Sequence, residues 1–161
     1  MEIVSARLRL RRATDEEALH LLRGQAPPAL PCAHGYPHPD TPDAFAAQVA
    51  GREGFGPWLI LRSADGHAVG DIGLAPGEEQ GTYTGGYGIA ESVRGRGFAT
   101  EALSALLAAL WRHRPDAERV LLDTRVSNNA SRRVMEKAGL RQVGQVRGSC
   151  FYLIERGASY P

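Results

Sequence analysis

The chain has 161 residues, 43% of them hydrophobic, enough for one domain with a buried core and too few for a second domain of ordinary size. Nineteen Lys and Arg oppose eighteen Asp and Glu, a formal net charge of +1, so no bulk field draws the molecule to nucleic acid or to a membrane. Only Cys32 and Cys150 are present, far apart and without a disulfide framework; with no secretory leader and no apolar run near about 18 residues, a cytoplasmic protein is expected.

In chain order, alternating leucine and arginine predict a strand at Leu8 to Arg11, followed by a helix capped by Thr14 with Glu17 in capping-box register. A Pro-rich loop runs from Gln25 to about Asp40. Cys32, His34 and His38 crowd together within it but lack the spacing of a zinc motif, so no metal site is expected. A second helix begins near Thr41, with Pro42 at its first position and Phe45 and Val49 turned inward. Strands at Trp58 to Arg62 and His67 to Leu74 flank Ala64-Asp65-Gly66, which has hairpin chemistry, and a polar loop, Ala75 to Gly81, leads into the next strand.

That strand and the turn after it are the most informative part of the chain. In GGYGIA, Gly85 to Ala90, Tyr87 and Ile89 alternate with glycines, a pattern that suits close backbone approach by a ligand. VRGRGFATEAL, Val93 to Leu103, then joins strand to helix through a glycine-rich turn bearing Arg94 and Arg96. Gly95 and Gly97 let the backbone come near a ligand, and the helix predicted from Ala99 to Trp111 aims unpaired N–H groups and a positive dipole end at the same place. A phosphate-bearing cofactor is expected there. No Lys-Ser/Thr follows as in a P-loop, and Thr100 stands where a dinucleotide fingerprint puts its third glycine, so neither common nucleotide loop fits.

Beyond the long helix, whose Ala99, Leu103, Leu106, Leu107 and Leu110 form one apolar stripe, the Val and Leu run of Arg119 to Val126 predicts a buried strand. SNNASRRVMEKAGL, Ser127 to Leu140, reads as a helix with Ser127 or Asn128 as N-cap and Gly139 just past its end. Last strands near Arg141 to Arg147 and Phe151 to Arg156 complete an α/β fold: a mixed sheet with helices on both faces.

Taken together, Arg94-x-x-Gly97-x-Ala99 on a strand-turn-helix and Asn128-x-x-Ser131 followed by Glu136-Lys137-Ala138-Gly139-Leu140 resemble the GNAT acetyltransferase superfamily, and most closely its RimJ/RimL-type branch of ribosomal-protein N-terminal acetyltransferases. The resemblance extends over nearly the whole chain, with Ala6 to Leu22 like that branch's opening strand and helix and Val69 to Leu74 like its third strand. It implies one GNAT domain over residues 1–161, with a mostly antiparallel twisted sheet. It also implies acetyl-coenzyme A as cosubstrate, a primary amine as acceptor, no metal, and a possible homodimer.

By the same resemblance, the pyrophosphate would meet the backbone N–H groups of Arg96, Gly97, Phe98, Ala99 and Thr100, with charge from Arg94 or Arg96. The pantetheine arm would run along Ile89, Ala90 and Glu91 like an added strand, held from the far side by Asn128. A backbone N–H near Ile89 would stabilise the oxyanion, Ser131 would protonate the departing thiolate or relay a proton to it, and Tyr87 is the second candidate acid. Members of this branch often carry a glutamate base just ahead of the Gly-Tyr pair. Here that place is Thr84, which leaves Asp71, Glu78, Glu79 and Glu91 as candidates acting through water, and leaves open a noncatalytic acyl-CoA-binding module as the alternative.

Weak base equipment favours easily deprotonated acceptors. At pH 7 an α-amine costs roughly 1 kcal/mol to deprotonate and a lysine side chain roughly 4.6 kcal/mol, so an N-terminal α-amine or another low-pKa amine is expected. Acceptor sterics would fall to the Pro-rich loop around Tyr36 and to Phe45 and Trp58.

Overall fold

The computed structural model describes residues 1–52 and 54–158. It opens on β1, Glu2–Val4, a short strand not expected from the sequence, which pairs antiparallel with β2, Leu8–Arg11. In β2, Leu8 and Leu10 are buried and Arg9 is exposed, the alternation read from sequence. The first helix, α1, Asp15–Leu22, carries the full capping box: Glu17 N–H donates to Thr14 Oγ1 at 3.1 Å and Thr14 N–H to Glu17 Oε2 at 2.9 Å. Arg11 adds a two-pronged clamp on the Glu17 carboxylate, both bonds 2.8 Å, which ties helix start to strand end.

The Pro-rich stretch between the first two helices is not a loose loop. Ala33 N–H donates to Ala68 O and Ala68 N–H to Pro31 O, a short parallel bridge that pins it to the start of a sheet strand. Helix α2, Thr41–Val49, has Pro42 in its first turn and buries Phe45 completely. Val49 departs from expectation: it is 43% exposed. The inward position in that turn goes to Gln48, whose Nε2 donates to Ala13 O at 3.1 Å.

Strands β3, Phe55–Arg62, and β4, Ala68–Pro76, form the expected hairpin, each longer than read from sequence. Next come β5, Thr82–Ile89, a 3₁₀ turn at Glu91–Val93, α3, Phe98–His113, and β6, Arg119–Arg125. Then α4, Asn129–Lys137, leads to the hairpin of β7, Arg141–Val146, and β8, Ser149–Glu155. Strand β6 buries Val120 and Leu122 on one face but leaves Leu121 half-buried and Asp123 exposed, so it is not the strand buried on both faces that its Val-Leu run suggested.

These eight strands form one sheet in the order β1-β2-β3-β4-β5-β6-β8-β7, antiparallel except for β5 with β6. Asp71 and Gly88 are register partners on β4 and β5, and Asp71 reaches Thr41 of α2; neighbouring Tyr87 reaches Ser131 of α4. Because adjacent strand residues point to opposite faces, α2 and α4 cover opposite faces of the sheet.

The parallel β5–β6 pairing decides the site. It covers only Thr82 with Arg119 and Tyr83 with Val120, after which the strands part, and the β6-facing edge of β5, from Thr84 to Ile89, has no strand partner among the described residues. Divergence is enforced from both sides. Strand β5 continues in unbroken register with β4 through Ile89, while β6 stays in register with β8 over its whole length.

Candidate active site

A cleft of about 620 Å³ occupies this gap. Tyr87, Gly88 and Ile89 of β5 form one wall and Asn128, Ala130, Ser131 and Val134 of the α4 region another. The Arg94-to-Thr100 turn and the segment His38, Pro39 and Asp40 complete the lining. The lining comes from α4 on one face of the sheet and from the segment leading into α2 on the other, so the cleft passes through the sheet where β5 and β6 separate.

At the turn, the chain leaves the 3₁₀ segment, extends at Arg94, and takes left-handed backbone at Gly95 and Gly97, φ 77° and 81°. A β-carbon is disfavoured in that conformation, which is why glycine stands at both positions. Gly97 is the N-cap of α3, and Glu101 N–H is the donor that returns to Gly97 O at 3.0 Å. The N–H groups of Phe98, Ala99 and Thr100 therefore precede the first intrahelical bond and, together with the helix dipole, offer an anion site. The helix begins one residue earlier than expected. Arg94 lines the cleft, its Nε also donating to Ile89 O at 3.3 Å, and Arg133 and Lys137 add positive charge from α4.

Sequence reasoning missed what braces this turn. Arg7, between β1 and β2, donates to Arg96 O at 2.9 Å, pairs with Glu101 at 3.3 Å, and lies over the Phe98 ring at 4.6 Å. A lone arginine about ninety residues upstream carries no local signal of such a role.

Across the gap, Asn128 caps α4, its Oδ1 accepting from Ser131 N–H at 3.1 Å, which leaves its two amide hydrogens for a ligand. Helix α4 is set on the sheet by Arg132, which donates to the buried Tyr152 hydroxyl at 3.2 Å and to Val126 O at 3.1 Å. Tyr87 then bridges β5 to α4: its hydroxyl lies 2.9 Å from Ser131 Oγ and donates to Ser131 O at 3.1 Å. Burial raises the Tyr87 hydroxyl above its usual value, the Ser131 contact working the other way, so the phenol keeps its proton at neutral pH.

On the α2 face of the sheet, Asp71 is buried under three contacts: Tyr36 Oη at 3.0 Å, Thr41 Oγ1 at 2.8 Å and His38 Nε2 at 3.1 Å. Burial and then the adjacent carboxylate push the Tyr36 hydroxyl far above its ordinary range, so it remains a donor. Nδ1 of His38 accepts from Asp40 N–H at 3.2 Å, which places the imidazole proton on Nε2, toward Asp71. The ring lies so close to Gly88 that a β-carbon there would overlap it.

Of the sequence-derived site residues, Tyr87, Ile89, Arg94, Gly95, Gly97, Phe98, Ala99, Thr100, Asn128 and Ser131 converge on the cleft. Three do not line it. Ala90 is buried, with its N–H donating to Val69 O, while Glu91 and Arg96 are exposed. Of the candidate bases, Asp71 is enclosed by its donors rather than facing water, Glu79 pairs with Arg119 at the surface, and Glu78 and Glu91 lie outside the cleft lining. Of the groups expected to shape the acceptor site, Tyr36, Phe45 and Trp58 are buried in the core, while His38, Pro39 and Asp40 of the same Pro-rich loop line the cleft. His38 carried only a weak metal-like signal in the sequence, because its partner Asp71 is thirty-three residues away.

A family model described as an acetyltransferase (GNAT) domain matches residues 7–141. A search of curated proteins finds no match. Among solved structures, a GNAT-family acetyltransferase from Bacillus anthracis superposes with a TM-score of 0.73 at 18% identity, covering 98% of this chain and 100% of the other. RimL, described as a ribosomal L7/L12 alpha-N-protein acetyltransferase, gives 0.68 at 22% identity over 96% and 98%. AAC(6')-Ib, in complex with ribostamycin and coenzyme A, gives 0.69 at 20% identity over 94% of each chain. At these identities the likeness is one of fold.

Proposed function

Because this chain belongs to the GNAT acetyltransferase family, we propose that it moves the acetyl group of acetyl-coenzyme A to a primary amine within the β5–β6 cleft, all 161 residues serving as one catalytic domain. The observation that carries this assignment of the site is the free edge of β5, which opens beside the unpaired N–H groups at the start of α3.

The chain's own groups suit each part of the task. Phe98, Ala99 and Thr100 N–H groups and the Arg94 guanidinium would hold the diphosphate. Amides of the free β5 edge through Ile89 would pair with the amide-bearing arm as an added strand, and Asn128 would donate to it from α4. Tyr87, protonated and hydrogen-bonded to Ser131, would give a proton to the departing sulfur, with Ser131 as relay. Neither Ala90, Glu91 nor the Arg96 side chain takes a direct part.

For the acceptor, we favour a low-pKa amine: an N-terminal α-amine or a small-molecule amine. The similar folds include proteins described with both kinds, an alpha-N-protein acetyltransferase in RimL and an aminoglycoside complex in AAC(6')-Ib. Among the described residues no helix is long and apolar enough to cross a membrane. Cys32 and Cys150 are both free, as suits a reducing, cytoplasmic setting. Calorimetry with coenzyme A and acetyl-coenzyme A, and then an amine panel read by thiol release, tests the proposal. Micromolar binding with turnover supports it, binding without turnover on any amine favours an acyl-CoA-binding module, and no binding overturns the site.

A further inference from the structure

Thr84 leaves the reaction without the glutamate its resemblance would supply, yet among the described residues the cleft lining holds one imidazole. We propose that His38, oriented by Asp71, is the proton acceptor for the incoming amine, a reading that rests on the proposed acetyltransferase function. His38 lines the cleft against Gly88, the residue before Ile89 on the free edge of β5, on the face of the sheet opposite Tyr87 and Ser131.

Its surroundings are organised around one task. Asp71 contacts Nε2 at 3.1 Å and is itself held by Tyr36 and Thr41, so the carboxylate has no freedom to swing away. Thr41 Oγ1 also accepts from His38 N–H at 3.1 Å, and Thr41 N–H donates back to His38 O, closing a turn that fixes the residue's backbone. The proton on Nε2 leaves the lone pair on Nδ1, met only by the long contact from Asp40 N–H at 3.2 Å. A carboxylate on the far nitrogen stabilises the imidazolium that forms when the near one takes a proton, the arrangement general-base histidines use. The groups facing the ring are Asp71 from β4, Tyr36 from its own segment, and Thr41 and Asp40 at the start of α2; β5 presents only the backbone of Gly88. The cationic side chains of the same cleft are Arg94, Arg133 and Lys137.

The transfer balances with these groups. The amine nitrogen forms a bond to the thioester carbonyl carbon and the C–S bond breaks. The amine's proton passes to His38 Nδ1 in place of the Asp40 contact, and the sulfur takes a proton from the Tyr87 hydroxyl. Imidazolium and phenolate then exchange with solvent, regenerating the starting state.

The test is the pH profile of kcat/KM for the parent chain, His38→Gln and His38→Ala on the best amine of the panel, with coenzyme A affinity measured alongside as the index of folding. Expected are parental coenzyme A affinity in both variants, a loss of roughly a hundredfold or more in kcat/KM, an acid limb in His38→Gln reduced to the ionisation of the amine itself, and recovery of His38→Ala by added imidazole. A His38→Gln enzyme that keeps the whole parental profile beyond the amine's own ionisation, or loses only in KM, overturns the role of His38 while leaving the acetyltransferase reading intact. A parent that binds coenzyme A and acetylates no amine overturns both.

Discussion

The hydroxyl of Tyr87 on β5 lies 2.9 Å from Oγ of Ser131 on α4, so two side chains forty-four residues apart span the gap through which the sheet opens. One bond thereby joins the strand that would receive the cosubstrate's arm to the helix whose N-cap faces it. In the proposed reaction the phenol would be the donor to sulfur, and the serine hydroxyl would support or refill it.

Tyr87→Phe is therefore expected to lower kcat by roughly ten- to a hundredfold with KM for acetyl-coenzyme A within about threefold, because only a proton donor is removed. Ser131→Ala should cost less than Tyr87→Phe in kcat. Steady-state kinetics of the two variants on one amine checks the order, and a larger loss for Ser131→Ala would make the serine the direct donor.

Arg94 and Arg96 flank the same glycine but face different surroundings. Arg94→Ala should weaken coenzyme A binding about tenfold or more, the loss of a charged contact worth roughly 1.5–3 kcal/mol. Arg96→Ala should change it by less than about threefold, since its side chain is exposed outside the cleft and only its carbonyl is held, by Arg7. Calorimetry on the single variants distinguishes them, with both effects expected to shrink as salt rises.

Gly88→Ala would push a methyl into the His38 ring. The imidazole would have to leave Asp71, so a loss of roughly 1–3 kcal/mol in stability is expected together with a fall in turnover. Thermal melting and a kinetic assay read both; unchanged kinetics would show that the ring can move aside without consequence.

Glu17 ties the acid side of the stability profile to one ion pair. The bidentate hydrogen bonds from Arg11, ahead of the Thr14 contact, hold its carboxyl below the ordinary value in the folded protein. The unfolded chain then binds the proton more readily, so this contribution is complete above the unfolded carboxylate range and fades as pH falls through the folded value. Glu17→Gln should lower Tm at pH 7 by an amount that diminishes toward about pH 3, seen in melts of both chains across that interval.

Much of the fold was legible because its signals are local. The Thr14–Glu17 capping box, the stripe from Leu103 to Leu110, the Ala64-Asp65-Gly66 turn and the Asn128 cap each depend on residues within a few positions of one another, and each stands where expected. Errors fell where a partner decides. Val49 matched the helical period but yielded the inward place to Gln48, and β1 is too short to announce itself without β2 beside it.

The site divides along the same line. Sequence alone determined the glycine turn and the helix start proposed to hold the diphosphate, because glycines with positive φ and the unpaired amides of a helix start are properties of consecutive residues, and the family likeness rested on that run and the Asn128 helix. Only the tertiary structure decided the rest. The depth of the cleft depends on β5 and β6 parting after two pairs, the brace on Arg7 reaching Arg96 and Glu101, and the orientation of His38 on Asp71 meeting it across thirty-three residues. Such contacts are set by strand register and helix docking, which bring together side chains whose spacing along the chain has no period to betray them.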